Sequence, residues 1–162
     1  MTLKSGAGQQ IVGVISDTHG LLRPEVLRIF KGVTLILHAG DIGSPEVLDG
    51  LRHLAPVVAV RGNNDTDEWA KRIPEVKAVK ASGVSIYMLH DVKELKVTPS
   101  AKKVQAVVSG HSHRPRIEDR DGILFLNPGS AGPRRFKLPI SVARMTIHGA
   151  VVRAEIIELS TV

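Results

Sequence analysis

Ile11-Val12-Gly13-Val14-Ile15-Ser16-Asp17-Thr18-His19 is a short apolar run that ends on a carboxylate and an imidazole two residues apart. Its Val and Ile content and its length read as a strand buried on both faces, as in a parallel sheet. The theme recurs along the chain. Residues 33–37 run into Gly40-Asp41, residues 57–60 into Gly62-Asn63-Asn64-Asp65, residues 84–89 into His90-Asp91, and residues 104–108 into Gly110-His111-Ser112-His113. Each polar motif falls just past a strand-like segment. In open α/β sheets that is where ligands bind, so the motifs are expected to converge on one edge of the fold.

The segments between the motifs give the architecture. Residues 22–30 have near-helical apolar spacing, with Gly32 as a stop. Residues 45–54 read as a second helix, with Ser44 as N-cap and Pro45 at the first helical position. Strand–helix–strand–helix–strand with short links implies right-handed crossovers and a mostly parallel sheet. The second half reads differently. Residues 76–80 and 84–89 flank Ala81-Ser82-Gly83, residues 116–118 and 123–126 flank 119–122, and residues 141–147 and 151–159 flank His148-Gly149-Ala150. These are three hairpins, so this half is expected to be largely antiparallel. The predicted fold class is α/β: a two-sheet mixed sandwich with helices outside. A single domain over residues 1–162 is expected, with residues 1–9 a loose polar segment.

Composition narrows the function classes. With 43% hydrophobic and 23% charged residues in 162, the chain is globular, and with only 3% aromatics its core must be aliphatic. It has no cysteine, so a metal would be held by oxygen and nitrogen. No apolar run is long enough to cross a bilayer, and the polar start lacks the apolar stretch of a secretory signal. A cytoplasmic location without membrane association is therefore expected. The net charge of +6 is read first as surplus surface lysine and arginine. Nucleic acid is a weaker reading, because one Trp and one Tyr offer few stacking platforms. A third reading is that basic residues near the motifs attract phosphorylated substrates. Self-association is left open.

Together the motifs supply about three carboxylates, four imidazoles and an amide, which suits a pair of divalent ions held side by side. In an extended stretch, side chains two apart leave on the same side, so Asp17 with His19, and His111 with His113, could each reach one ion. Gly40 and Gly62 permit tight turns that present Asp41 and Asn63. Any one of these motifs alone reads as a turn; the set of five in order does not.

The ordered set resembles the calcineurin-like metallophosphoesterases, particularly their small bacterial and archaeal phosphodiesterase branch. The resemblance runs from about residue 11 to 152 and includes Asn127-Pro128-Gly129-Ser130. It implies a two-sheet sandwich flanked by helices and a metal-dependent phosphoesterase, most simply a phosphodiesterase acting on a small phosphoester through a metal-bridging hydroxide. By motif, one ion would take Asp17, His19 and His113, the other Asn63, His90 and His111, and Asp41 would bridge them. Mn²⁺ is the expected ion in vitro, with Fe, Zn, Co or Ni also compatible with these donors.

One departure stands out. Many relatives have Gly-Asn-His where this chain has Gly62-Asn63-Asn64. An amide can donate a hydrogen bond but cannot give up a proton at useful pH, which favours good leaving groups. Asn64 and Asp65 are candidate catalytic residues, Asp65 as an orienting carboxylate or as a mere turn residue. Arg61 and Arg134 are candidates for contact with a substrate phosphate. Arg61 could equally pair with an acidic residue. His38 is read as a buried histidine satisfied by backbone, and Trp69 as a packing residue. The rival to an enzyme is a scaffold, since a eukaryotic retromer subunit has this fold and serves as a protein-binding module.

Overall fold

The structure, a computed structural model, describes residues 9–159. Two five-stranded sheets face each other. The first has the order β10(Val151–Glu158), β9(Ser141–His148), β1(Gln9–Ile15), β2(Leu35–His38), β3(Val57–Ala59). The second has the order β4(Val76–Ala81), β5(Val84–Leu89), β6(Ala106–Val108), β8(Ile123–Asn127), β7(Arg116–Arg120). Of the expected loose segment, Gln9 already belongs to β1, opposite His148, and residues 1–8 lie outside the described residues.

One apolar cluster joins the sheets: Val12, Val14, Leu37, Met145 and Ile147 from the first meet Ile86, Met88, Ala106, Val108 and Leu126 from the second. All but Leu126, at 1%, have no accessible surface, so each contributes roughly 1–3 kcal/mol through burial. A second cluster lies on the outer face of the first sheet. There Val26 and Phe30, in and just after α1(Pro24–Ile29), and Val47, Leu48 and Leu51 of α2(Pro45–Arg52) cover Ile15 and Ile36. Both α-helices therefore flank the first sheet. The outer face of the second carries a smaller cluster around Leu89, Val107 and Ile123.

Local chemistry sets the boundaries. α1 is shorter than its apolar spacing predicts, because Arg23 precedes a proline and is extended at ψ 141°. Ser44 occupies the N-cap position of α2 in extended conformation, yet its side chain makes no capping bond; Pro45 alone defines the start. The hairpin links are tighter than expected. Ala81 pairs with Val84 and Arg120 with Ile123. That leaves Ser82-Gly83 (φ 50° and 85°) and Asp121-Gly122 (φ 54° and 83°) as two-residue turns with both φ positive, the type I′ signature.

One strand departs from the expected direction. The second half is largely antiparallel, through its three hairpins and β9 against β1, but β6 pairs parallel with both β5 and β8. The registers show what this achieves. Ile15 pairs with His38 and His38 with Ala59, while Met88 pairs with Val108 and Val108 with Leu126. Each sheet thus brings three parallel strands to a common carboxyl edge. The C-terminal hairpin completes the first sheet from the other side, with β9 antiparallel to β1.

Candidate metal centre

From the first sheet, Asp17, Asp41 and Asn63 follow β1, β2 and β3; from the second, His90 and His111 follow β5 and β6. The structure brings these five together, along with His19 and His113. The first two loops are stitched side by side as an extension of the sheet: Asp17 N donates to Gly40 O at 2.9 Å, His19 N to Asp41 O at 2.9 Å and Gly20 N to Ile42 O at 2.7 Å. The extended backbone expected for the two His-bearing pairs is absent. Asp17, His19, His111 and His113 have φ of 56°, 46°, 72° and 63°, as does Asp41 at 54°. Side chains two apart still reach a common point, through left-handed turns rather than through strand alternation.

Asp17 and Asp41 each have one oxygen held by a backbone N–H and one presented to the imidazoles. Asp17 Oδ2 accepts from Ser16 Oγ at 2.6 Å and His111 N at 3.0 Å. Its Oδ1 has His113 Nε2 at 3.3 Å and His19 and His90 Nε2 each at 3.8 Å. Asp41 Oδ1 accepts from Asn64 N at 2.9 Å. Asp41 Oδ2 faces His90 Nε2 at 3.3 Å and His19 Nε2 at 3.8 Å, and accepts from Asn64 Nδ2 at 3.1 Å. The ligand atoms fall into two groups, Asp17 with His19 and His113, and Asp17 with Asp41 and His90, so Asp17 is common to both. Asn63 Oδ1 and His111 Nδ1 form a third pair at the rim, 3.2 Å apart, with His111 Nε2 at 3.8 Å from Asp91 Oδ2.

The donor set fits a divalent cation. Asp17 Oδ1, His19 Nε2 and His90 Nε2 are buried and have no hydrogen-bond partner among the described residues. Buried lone pairs left unmatched are costly unless a cation or water meets them, and these aim at one space. His90 is held for that purpose: its Nδ1–H donates to Ala39 O at 2.7 Å, which leaves the Nε2 lone pair free. Without a cation, protons fill the role. Burial would lower His90, but the Asp41 carboxylate 3.3 Å away and the charge of Asp17 outweigh it and raise His90 to about 8. Burial would raise Asp41, but His90 and the Asn64 N–H outweigh it and hold Asp41 at about 2. Asp17 is likewise lowered: its burial is outweighed by His113, His90 and Ser16.

Asp65 acts on backbone. Its Oδ2 accepts from Ile42 N at 3.0 Å and Gly62 N at 2.9 Å, and its Oδ1 from Gly43 N at 3.1 Å, tying the loops after β2 and β3 together. Gly62 serves close approach: a Cβ there would strike the carboxylate and backbone N of Asp41. Arg61 is engaged in the wall, with Nη1 donating to Ile73 O and Nη2 to Glu75, each at 2.8 Å. Arg134 is exposed and its Nε donates to Leu138 O at 3.2 Å, within its own loop. Trp69 packs against the core cluster of the helices.

His38 has no accessible surface, and its tautomer is set by its neighbours. Gly40 N donates to Nδ1 at 3.1 Å, so the proton sits on Nε2 and faces Thr18 Oγ1 at 3.0 Å; Thr18 Oγ1 in turn donates to Ile42 O at 2.8 Å. Burial lowers His38 to about 4 despite the nearby charges of Asp17 and Asp65. Sequence reasoning did not single out Ser16, Thr18 or Ser130 for a role; all three are buried, Ser16 and Ser130 bonding Asp17 and Thr18 bonding His38 and Ile42 on either side of Gly40-Asp41.

Two clefts meet at Asp91, Lys93 and His111. One of about 560 Å³ runs past Ser112 and Asn127 to Leu138; the other, of about 1080 Å³, runs past Asn63 and His90 to Tyr87 and Arg61.

Residues 11–150 match the model of the calcineurin-like phosphoesterase superfamily domain. The chain belongs to this superfamily. It is 40% identical over 150 residues to a probable metallophosphoesterase of Methanocaldococcus jannaschii, covering 87% of this chain and 78% of that one. A phosphodiesterase of the same organism is 29% identical over 137 residues, covering 73% and 82%. Vacuolar protein sorting 29 from Cryptosporidium parvum has the same fold, with a TM-score of 0.75 at 20% identity over 94% of this chain and 99% of that one. This phosphoesterase-family chain accordingly has a fold that implies divalent metal ions. Among its described residues no helix is long and apolar enough to cross a membrane.

Proposed function

We propose that the chain is a phosphodiesterase that works with two divalent ions, Mn²⁺ in vitro, held by Asp17, His19, Asp41, Asn63, His90, His111 and His113. The observation that carries the reading is the convergence of unmatched buried lone pairs on Asp17, His19 and His90. Similarity to the Methanocaldococcus phosphodiesterase supports the choice of ester. Two such ions supply charge stabilisation for phosphoryl oxygens and an activated water near neutral pH.

The chain supplies positioning. Ser16 and the His111 N–H hold Asp17, the Asn64 N–H holds Asp41, Ala39 O holds His90, and Asp65 locks the two loops that carry Asp41 and Asn63. Asn64 Nδ2 reaches the same opening and can donate to a phosphoryl oxygen, but it cannot protonate a departing alkoxide. Esters with acidic leaving groups should therefore react best. A diester also brings less negative charge beside Asp17 and Asp41 than a monoester does. A scaffold role, suggested by the fold shared with vacuolar protein sorting 29, does not require this donor set.

The test is metal content together with kcat/KM for a matched aryl diester and aryl monoester after Mn²⁺ reconstitution. The diester should be preferred, and Asn64→His should speed alkyl leaving groups. Preference for the monoester would overturn the diester assignment, and a metal-free, inactive protein would favour the scaffold.

A further inference from the structure

The loop of residues 131–139 has a fixed root and an unexplained tip. At its root, Gly132 lies so close to the carbonyls of Asp17 and Thr18 that a Cβ would collide with them. Just before it, Ser130 Oγ donates to Asp17 O at 3.0 Å, and Arg23 Nη2 donates to Gly132 O at 3.1 Å. On the return, Leu138 lines the smaller cleft with His111. The loop is therefore part of the rim of the candidate centre.

The tip is Phe136. It is 88% exposed, far beyond the other exposed large apolar residues, and its φ is +56°. A bulky aromatic is a poor choice for left-handed backbone and for full solvation, and here both occur at one residue. The surrounding turn enforces them: Leu138 N donates to Arg135 O and Arg134 Nε to Leu138 O, each at 3.2 Å, which leaves Phe136 projecting. Strain of this kind persists where the framework fixes it, and it concentrates at ligand clamps. Arg134, Arg135 and Lys137, which flank the ring, are all exposed. Covalent geometry limits how far the ring can stand from the site. The Cα of Phe136 is within about 7 Å of that of Leu138 and within about 14 Å of that of Gly132.

The geometry points to a single-stranded oligonucleotide as the ligand of this loop, with Phe136 stacking on a base and Arg135 and Lys137 meeting the phosphates on either side. This rests on the phosphodiester reading above and names its substrate class. A simple diester carries one negative charge and needs no aromatic platform. Exposed cations on either side of a projecting aromatic in the chain match a ligand that repeats one charge and one flat ring per unit. The same residues could engage an anionic bilayer, but the loop is rooted on Asp17 and its return residue Leu138 lines the cleft with His111, which favours a ligand that also occupies that cleft.

The test is fluorescence anisotropy of a labelled short oligothymidylate with the full chain in chelator, so that binding is read without turnover. Phe136→Ala should weaken binding about tenfold and Phe136→Trp should keep it. Arg135→Ala should reduce the salt slope of log K by about 0.7. In the Mn²⁺-loaded protein, Phe136→Ala should lower the ratio of kcat/KM for oligothymidylate to that for methyl p-nitrophenyl phosphate about tenfold. Equal binding by wild type and Phe136→Ala overturns the proposal. So does Phe136-dependent binding to phosphatidylserine vesicles without oligonucleotide binding. If the loaded wild type cleaves no diester, the proposed function fails, while the anisotropy still decides the loop.

Discussion

The two ends of the sandwich use left-handed backbone under opposite conditions. At the hairpin end, Ser82 and Asp121 take positive φ, each followed by a glycine whose added Cβ would meet nothing within 4 Å. At the other end, Asp17, His19, Asp41, His111 and His113 take the same conformation, three of them buried, beside glycines such as Gly62 and Gly110 that have no room for a methyl group. In the hairpins the conformation is local turn chemistry, favoured by Asp and Gly in a type I′ turn. At the site it is imposed by packing and by the ladder that joins the loops after β1 and β2. A two-residue turn can be read from its own sequence. A strained buried ligand exists because residues far along the chain hold it there.

That contrast predicts where substitutions act. The largest effect is expected at Asp41. Asp41→Ala should cut metal per chain after reconstitution and gel filtration, and lower kcat/KM by at least about 100-fold. His19→Ala should lose less, and Asp121→Ala, left-handed but in a hairpin, should lose nothing. Equal metal stoichiometry in Asp41→Ala and His19→Ala would count against the bridging role that the family resemblance implies for Asp41.

Next comes Gly62→Ala, which drives a methyl group into the Asp41 carboxylate and backbone. A loss of about 3 kcal/mol in denaturant unfolding of the metal-free protein is expected. A neutral outcome would mean that the site loops yield as easily as hairpins.

The third effect is a pH dependence set within the site end. His38, held at about 4, binds its proton less readily folded than unfolded, so stability is complete above about 6.5 and is lost as pH falls towards 4. His90, held at about 8, has the opposite sign: its contribution is complete below about 6.5 and is lost as pH rises through 8. The metal-free protein should therefore be most stable near pH 6.5, falling on the order of 2 kcal/mol on either side. His38→Gln should flatten the acid limb. A profile unchanged by that substitution would assign the acid limb to other groups.

The smallest effect belongs to the hairpins. Gly122→Ala meets no atom but must hold φ near +83°, so a cost of about 1 kcal/mol is expected, with metal binding untouched.

The same contrast explains how much the sequence revealed. The apolar runs, the hairpins and the five polar motifs behind strand ends were legible because each is encoded locally. The direction of β6 was not. Residues 104–108 form an apolar run without polarity of its own, and only pairing with β5 and β8 orients it. The backbone at Asp17 and His19 was misread as extended for a similar reason: bonds to Gly40 and Asp41, supplied by another loop, bend it. Asp65 was half legible: its sequence reading stood open between an orienting carboxylate and a turn residue, and it accepts from the backbone N–H groups of Ile42, Gly43 and Gly62. The wall position of Arg61 was half legible, since a partner such as Glu75 could be anticipated but not named. Ser130 carried no local sign of contact with Asp17, 113 residues away.

That last separation also sets a clock. At about 5–20 residues per second, a ribosome needs roughly 6–23 s to add the 113 residues between Asp17 and Ser130. Strand β1, which lies at the centre of the first sheet, waits as long for β9 to cover its second edge. Until then the nascent chain displays Asp17, His19 and Asp41 without the framework that fixes them. Metal binding by Asp17, His19 and Asp41 would thus follow the arrival of β9, and a chain truncated before β9 should be a target for chaperones and proteases rather than a half-active enzyme.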